Sequence, residues 1–344
     1  MRGTRVKADS RILLGHGAGG RLTHELVARS ILPALDNPYL ATLSDAAVLT
    51  QLPAGRPAMT TDGFVVDPPV FAGGDLGYLS VCGTVNDLCV SGARPLWLTW
   101  ALILEEGLEL ELLERFVRGA ARAASEAGVV LVAGDTKVVP RGKGDRAYAV
   151  TSGLGVVPPG RELGDQHIRP GDAVLVSGPI GDHGATILAH RHELGSDELR
   201  SDCAPLAGLI EALFAARVDV RAMHDPTRGG VATTCYETCR RGNLRIELDE
   251  RALPVRREVA ATCRLLGLDP LYLACEGRVL VWVSEEHAER ALAALREHPL
   301  GRGAVRIGVV AEPSPGLAPL VLRTAAGGRR PLDMLSGLDL PRIC

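Results

Sequence analysis

The chain ends in a cysteine, Cys344, behind the short run Pro341-Arg342-Ile343. A thiol at a chain terminus is exposed to chance oxidation, a liability that soluble proteins tend to avoid, and a tail that carries one can reach a distant site. Two readings are open at this point, an incidental residue and a working thiol. Arg342 bears on the second, because a guanidinium beside a thiol lowers its pKa or pairs with a phosphate. Elsewhere, carboxylates recur beside glycine or at the ends of expected elements: Ser44-Asp45, Thr61-Asp62-Gly63, Asn86-Asp87-Leu88, Gly134-Asp135-Thr136-Lys137 and His224-Asp225-Pro226-Thr227-Arg228-Gly229-Gly230. Magnesium takes hard oxygen ligands, keeps several waters and bridges phosphates, so aspartates converging in space suit a magnesium–nucleotide site. Adjacent glycines let backbone N–H groups approach phosphate oxygens. Each motif alone reads more often as a cap or a turn former than as a ligand. The run Gly15-His16-Gly17-Ala18-Gly19-Gly20 is either a flap over phosphates, through Gly17, Gly19 and Gly20, or a plain mobile terminus, and His16 and His24 are given no catalytic role. No Walker A lysine motif and no strand-linked G-x-G-x-x-G is present, which disfavours the common nucleotide folds.

The elements that must position these residues alternate strands with amphipathic helices. Strands are expected over 58–66, opening into the turn at Asp62, over 97–104, over 129–133, ending at Gly134-Asp135-Thr136, and over 147–157. Helices are expected from Asp75, a plausible N-cap, to Gly92, and over 109–127 with Gly128 as C-cap. After Pro158-Pro159-Gly160 the pattern restarts, with strands at 173–177, 279–283 and 305–310 and helices at 206–216 and 285–296. This predicts an α/β chain of two domains, 1–157 and 158–322, and a mobile tail, 323–344, that carries the cysteine.

Bulk properties fit a globular enzyme: 344 residues, 46% hydrophobic, 23% charged, with aromatics at only 3%, so that Val, Leu, Ile and Ala must fill the core. A formal net charge of −3 gives no electrostatic reason to expect nucleic-acid or membrane binding. No apolar run approaches the roughly 20 residues of a membrane helix, and no signal peptide opens the chain, so a cytoplasmic location is expected. The eight cysteines are then expected to be reduced, and their spacing shows no zinc pattern.

Taken in order, the motifs resemble the HypE family of hydrogenase-maturation proteins, within the superfamily of aminoimidazole ribonucleotide synthetase, selenophosphate synthetase and thiamine-monophosphate kinase. The carriers are Thr60-Thr61-Asp62-Gly63-Phe64, Gly73-Gly74-Asp75-Leu76-Gly77, Gly83-Thr84-Val85-Asn86-Asp87-Leu88, Gly134-Asp135-Thr136-Lys137, the run from His224 to Thr233, and the terminal Pro341-Arg342-Ile343-Cys344. The resemblance spans nearly the whole chain. The aspartates belong to the superfamily, the ending to HypE; the loop at His16 to Gly20 departs slightly from the family pattern. The resemblance implies an aminoimidazole ribonucleotide synthetase-like fold and a homodimer whose N-terminal halves share a β-barrel. It implies ATP and Mg2+ at Asp45, Asp62, Asp87 and Asp225, with Asp135 as a fifth position and Arg228 on phosphate. It further implies that a HypF-type carbamoyltransferase loads Cys344, that ATP-dependent dehydration converts the S-carbamoyl group to a thiocyanate, and that the cyanide passes to iron on a HypC–HypD-type scaffold. Lys137 and the base Glu276, in Cys275-Glu276-Gly277, are the catalytic residues so implied. Rival readings are a selenophosphate synthetase, whose reactive residue would sit in the N-terminal glycine loop, which here has no cysteine; a small-molecule kinase; and an inactive adaptor, which would have little use for the acidic motifs.

Overall fold

The computed structural model describes residues 11–194, 198–335 and 343–344. Arg342 and the proline before it lie outside the described residues. The N-terminal half contains α1 (Arg21–Leu26), α2 (Leu32–Leu35), β1 (Arg56–Phe64), β2 (Val70–Phe71), β3 (Gly74–Asp75), α3 (Leu76–Val90), β4 (Arg94–Glu105), α4 (Leu110–Ala127), β5 (Val130–Val139) and β6 (Ala147–Val157). The C-terminal half contains β7 (Ala173–Val176), α5 (Asp182–Arg191), α6 (Ala207–Ala215), β8 (Val220–His224), α7 (Gly230–Gly242), β9 (Arg245–Asp249), α8 (Arg257–Leu266), β10 (Leu280–Val283), α9 (Ala288–Glu297), β11 (Val305–Ala311), β12 (Leu320–Arg323) and β13 (Arg329–Leu332). The result is a mixed α/β chain. Its first sheet runs β1-β6-β4-β5 and its second β13-β12-β9-β11-β7-β10-β8.

Sheet one is two-faced because its strands alternate. Phe64, Thr151, Trp100 and Leu102 turn inward, and the Trp100 indole N–H donates to Ser80 Oγ at 2.9 Å, pinning α3 to the sheet. The outward row holds Met59, Val150, Ala101 and Ile103; Met59 is 75% exposed. α3 is apolar on all sides and almost wholly buried, which places it between this sheet, α4 and the second half. Its N-cap is Asp75, whose carboxylate accepts the Tyr78 N–H at 3.0 Å. α4 is the amphipathic helix of the expected kind, and Gly128 closes it at φ 69°.

Two acidic motifs expected at strand ends lie inside strands instead. β1 continues through Phe64, so Asp62 sits opposite Thr151. β5 continues through Val139, because pairing with the long β4 carries it past the glycine; Asp135 lies opposite Ala101 and Lys137 opposite Ile103. A Cβ on Gly134 would meet the Trp100 carbonyl at 2.7 Å, so glycine is what lets the two strands close there. Within the stretch expected to be tail, Arg329–Leu332 pairs with Leu320–Arg323 as an edge hairpin.

Asn86, on α3, joins the halves. Its amide donates to the carbonyls of Ala204 at 3.1 Å and Glu276 at 3.2 Å, and its oxygen accepts the Leu206 N–H at 2.8 Å. The second of these bonds fixes the loop that carries Glu276 against the helix that carries Asp87. Among the described residues no helix is long and apolar enough to cross a membrane.

Candidate active site

The structure sorts the candidate residues into two groups. In the first, β1 supplies Asp62, α3 supplies Asp87, the turn after β8 supplies Asp225 and Arg228, and the turn before β10 supplies Glu276. Asp87 accepts the Thr60 hydroxyl at 2.9 Å and Asp62 the Gly63 N–H at 2.7 Å. The Cys275 N–H donates to the Pro226 carbonyl at 3.0 Å, which binds the Glu276 turn to the Asp225 motif. The Glu276 N–H donates to Asp202 at 3.1 Å, and a Cβ on Gly277 would collide with the Asp202 carbonyl, so the turn lies hard against that residue.

Cys344 closes this group. Its carbonyl accepts the Val65 N–H at 3.3 Å just past the end of β1, and Ile343 is buried at 4% exposure. The thiol lies against Glu276, with Asp62 and Arg228 nearby. Burial, reinforced by Glu276, pushes the thiol pKa far above its ordinary value, so the docked sulfur is protonated and a poor nucleophile.

Electrostatics marks the cluster as incomplete. Glu276 is 2% exposed, and its Oε1 has no hydrogen-bond partner. Burial first, then Asp225, Asp202, Asp62 and Asp87, drives its pKa well above the carboxylate range. Burial, then Asp87, pushes Asp225 up to about 7. Asp62 and Asp87 are also raised, in both cases chiefly by burial, while Arg228 opposes the shift. Carboxylates that repel one another in a shielded space are short of positive charge, and this fits a site for a divalent cation. Among the described residues, however, no three such groups stand together as a ready metal cage.

The second group is elsewhere. Asp45 and Asp135 line a cavity of about 280 Å³ between the N-terminal helices and β5, walled by Val27, Ile31, Leu35 and Leu131. Lys137 is exposed and pairs with Asp135 at 2.8 Å, the ammonium holding that carboxyl below its ordinary pKa. The glycine loop lies on β5, where a Cβ on Gly17 would strike the Val138 N–H. Gly19 adopts φ 78°, and Gly20 precedes α1. His16 Nδ1 accepts the Leu13 N–H at 2.9 Å, a local structural bond. Within one chain Asp45, Asp135 and Lys137 are thus not brought to Glu276. β1 and β5 are the two edges of the sheet, and the cross-strand register puts Asp62 on the inner face and Asp135 on the outer.

Asn86, Asp202, Ser201 and His183 also build the site and were assigned no role from sequence. Asn86 lay inside a motif noted for its aspartate. The others come together only in space.

The raised pKa of Asp225 has a consequence for stability. The fold prefers it neutral, so the charge begins to cost stability as pH rises above the unfolded value near 4 and costs most once pH passes about 7. Asp225→Asn should therefore raise the melting temperature of the nucleotide-free protein at pH 7.5 by several degrees, with the gain vanishing near pH 4. Thermal denaturation across that range checks this; an equal or lower melting point at pH 7.5 would contradict it.

Family models for the AIR synthase related protein match residues 43–157 (N-terminal domain) and 169–316 (C-terminal domain). The carbamoyl dehydratase HypE of Rhodobacter capsulatus is 49% identical over 341 residues, covering 98% of this chain and 99% of that protein. A crystal structure of hydrogenase maturation protein HypE in complex with ATP superposes at a TM-score of 0.92, with 47% identity, over 96% of this chain and 99% of that one. A HypE–HypF complex superposes at 0.78, with 43% identity, over 92% and 100%.

Proposed function

The chain belongs to the AIR synthase related family and, within it, to the HypE proteins, and from that premise we propose that it is an ATP-dependent carbamoyl dehydratase acting in hydrogenase maturation on its own Cys344. The observation that carries this reading is the docking of the terminal cysteine against a buried glutamate whose Oε1 has no hydrogen-bond partner. A buried, protonated thiol is an unsuitable nucleophile but a well-placed anchor for a group already attached to it.

Cys344 carries an S-carbamoyl group received, outside this site, from a HypF-type carbamoyltransferase. Inside it, the carboxamide oxygen takes the γ-phosphoryl group of ATP. Glu276 accepts an N–H proton, the second proton departs with phosphate as the C–O bond breaks, and a thiocyanate remains on sulfur. The cyanide then passes to iron on a HypC–HypD-type scaffold, supplying the ligand of a [NiFe]-hydrogenase. Burial makes Glu276 a stronger base than an exposed carboxylate once ionised, and a water-poor site protects the activated imidate from hydrolysis. Asp62, Asp87 and Asp225 would hold Mg2+, which neutralises phosphate charge when bound, and Arg228 would add a contact to phosphate. All eight cysteines are free, which supports a reducing, cytoplasmic setting.

Asp45, Asp135, Lys137 and the glycine loop at Gly17, Gly19 and Gly20 enter through a second copy of the chain. The support is their place on the opposite edge and face of the first sheet, together with the apolar outward row of Met59, Val150, Ala101 and Ile103 that a partner sheet would cover as a shared barrel. Each working site then combines Glu276 and Cys344 of one protomer with Lys137 of the other.

With a HypF-type transferase, carbamoyl phosphate and ATP, the C-terminal peptide should gain a carbamoyl group and then lose one water, the second step requiring hydrolysable ATP. Glu276→Gln should stop at the carbamoyl stage, and Cys344→Ala should abolish substrate-dependent ATP turnover. Continued turnover on a small molecule in Cys344→Ala would reject the reading. A separate test addresses the shared site. Lys137→Ala and Glu276→Gln should each be inactive alone, whereas the mixed pair should recover roughly a quarter of wild-type rate, from random pairing of chains in a two-fold dimer. No recovery, with subunit exchange verified, would place both residues in one chain's site.

A further inference from the structure

The C-terminus is gripped by its backbone as well as by its thiol. His183, the second residue of α5, is fully buried, and its Nε2 lies 2.8 Å from the Ile343 carbonyl oxygen. Its Nδ1 lies 2.8 Å from Ser201 Oγ. The protons on this chain of groups are fixed by their partners. A carbonyl only accepts, so Nε2 carries hydrogen. Ser201 Oγ already accepts the Cys203 N–H at 3.0 Å, leaving its own hydroxyl hydrogen to point at a bare Nδ1. Burial holds the imidazole pKa below its ordinary value, which agrees with a neutral ring. Phe71 meets the ring edge to face at 5.3 Å and sets its plane.

The same turn reaches the base. Asp202, between Ser201 and Cys203, accepts the Glu276 N–H at 3.1 Å, and Arg278 lies 3.6 Å from Asp202. Residues 201–203 therefore hold the latch on the tail at one end and the turn that carries the base at the other. We propose that His183 is a positioning residue for the dehydration step: its Nε2–H, oriented by the Ser201 hydroxyl, latches the Ile343 carbonyl and so fixes how far the Cys344 sulfur reaches toward Glu276. A hydrogen bond to a backbone carbonyl grips any residue at that position, so the latch sets depth, while the buried Ile343 side chain packs into the core beside it. The proposal rests on the reading of Cys344 as the substrate carrier, but docking itself is measurable without that chemistry.

The test uses the full-length chain with three variants. His183→Phe keeps a ring and removes the donor, His183→Gln restores an N–H near the Nε2 position, and Ser201→Ala removes the group that orients the ring together with the acceptor of the Cys203 N–H. The first readout is the rate at which iodoacetamide alkylates Cys344, scored by the mass of the C-terminal peptide, with the seven other cysteines as internal controls for folding. The second is single-turnover conversion of the carbamoyl adduct at saturating ATP. Loss of one hydrogen bond should speed Cys344 alkylation about five- to tenfold in His183→Phe and slow dehydration by a similar factor, with carbamoylation by the transferase undiminished. His183→Gln should reverse most of both changes, and Ser201→Ala should show a smaller shift in the same direction. Equal alkylation rates in wild type and His183→Phe would overturn the latch, as would a His183→Phe defect that His183→Gln leaves unchanged. If His183→Phe does not fold, an unaltered alkylation rate in Ser201→Ala would overturn it equally. An absent carbamoyl adduct would instead reject the carrier reading and leave the alkylation result standing.

Discussion

Four carboxyl groups, the half-buried Asp62, Asp87 and Asp225 and the buried Glu276, lie near one another with the exposed Arg228 as the main opposing charge, and each is raised above its ordinary pKa. Like charges at close range in low dielectric repel strongly, and burial penalises the ionised forms further. The fold tolerates this by leaving some of the groups protonated, at a cost in stability that a hydrophobic core would not incur. Such an arrangement persists only where something else holds the groups together. Here the holding is done by α3, locked into sheet one by Trp100 and into the second half by Asn86, and by the turn at Glu276, locked to Asp202 and to Pro226. On the proposed reading, a nucleotide bound with its cation would relieve the repulsion, coupling affinity to the readiness of the base.

The same constraint explains the terminal cysteine. A free thiol in this space is held protonated, so loading of the sulfur and chemistry on the loaded sulfur need different environments. One face of the enzyme supplies a carboxylate-rich, water-poor chamber, and the chain end brings the reacting group to it. Lys137 and Asp135, on the outer face of the sheet, fall outside that chamber in a single chain, which is why a second chain is proposed to complete it.

Much of this was legible in sequence. Asp75 as an N-cap and Gly128 as a C-cap are local signals, and local signals survive folding. The aspartate motifs and the Pro-Arg-Ile-Cys ending were enough to place the family. Strand ends were misread at Asp62 and Asp135, because a glycine beside an acid looks like a turn until cross-strand pairing carries the strand through it. The division of candidate residues between two faces of one sheet follows from strand order and register, which a single sequence does not display. Asn86, Ser201 and His183 were invisible for the same reason: a buried asparagine or histidine has meaning only through partners more than a hundred residues away, as with His183 and Ile343.

The proposed role of Glu276 as a base rests on a pKa raised by burial and by its fellow carboxylates. Carbon-13 NMR of protein labelled at the glutamate side-chain carboxyl, with Glu276→Gln to assign the signal, reads that pKa directly. Glu276 in the nucleotide-free protein should titrate well above the ordinary carboxylate value near 4.3, and magnesium with a non-hydrolysable ATP analogue should move the midpoint down as the cation neutralises Asp62, Asp87 and Asp225. A Glu276 signal that ionises with the surface glutamates, and does not respond to the nucleotide, would contradict it.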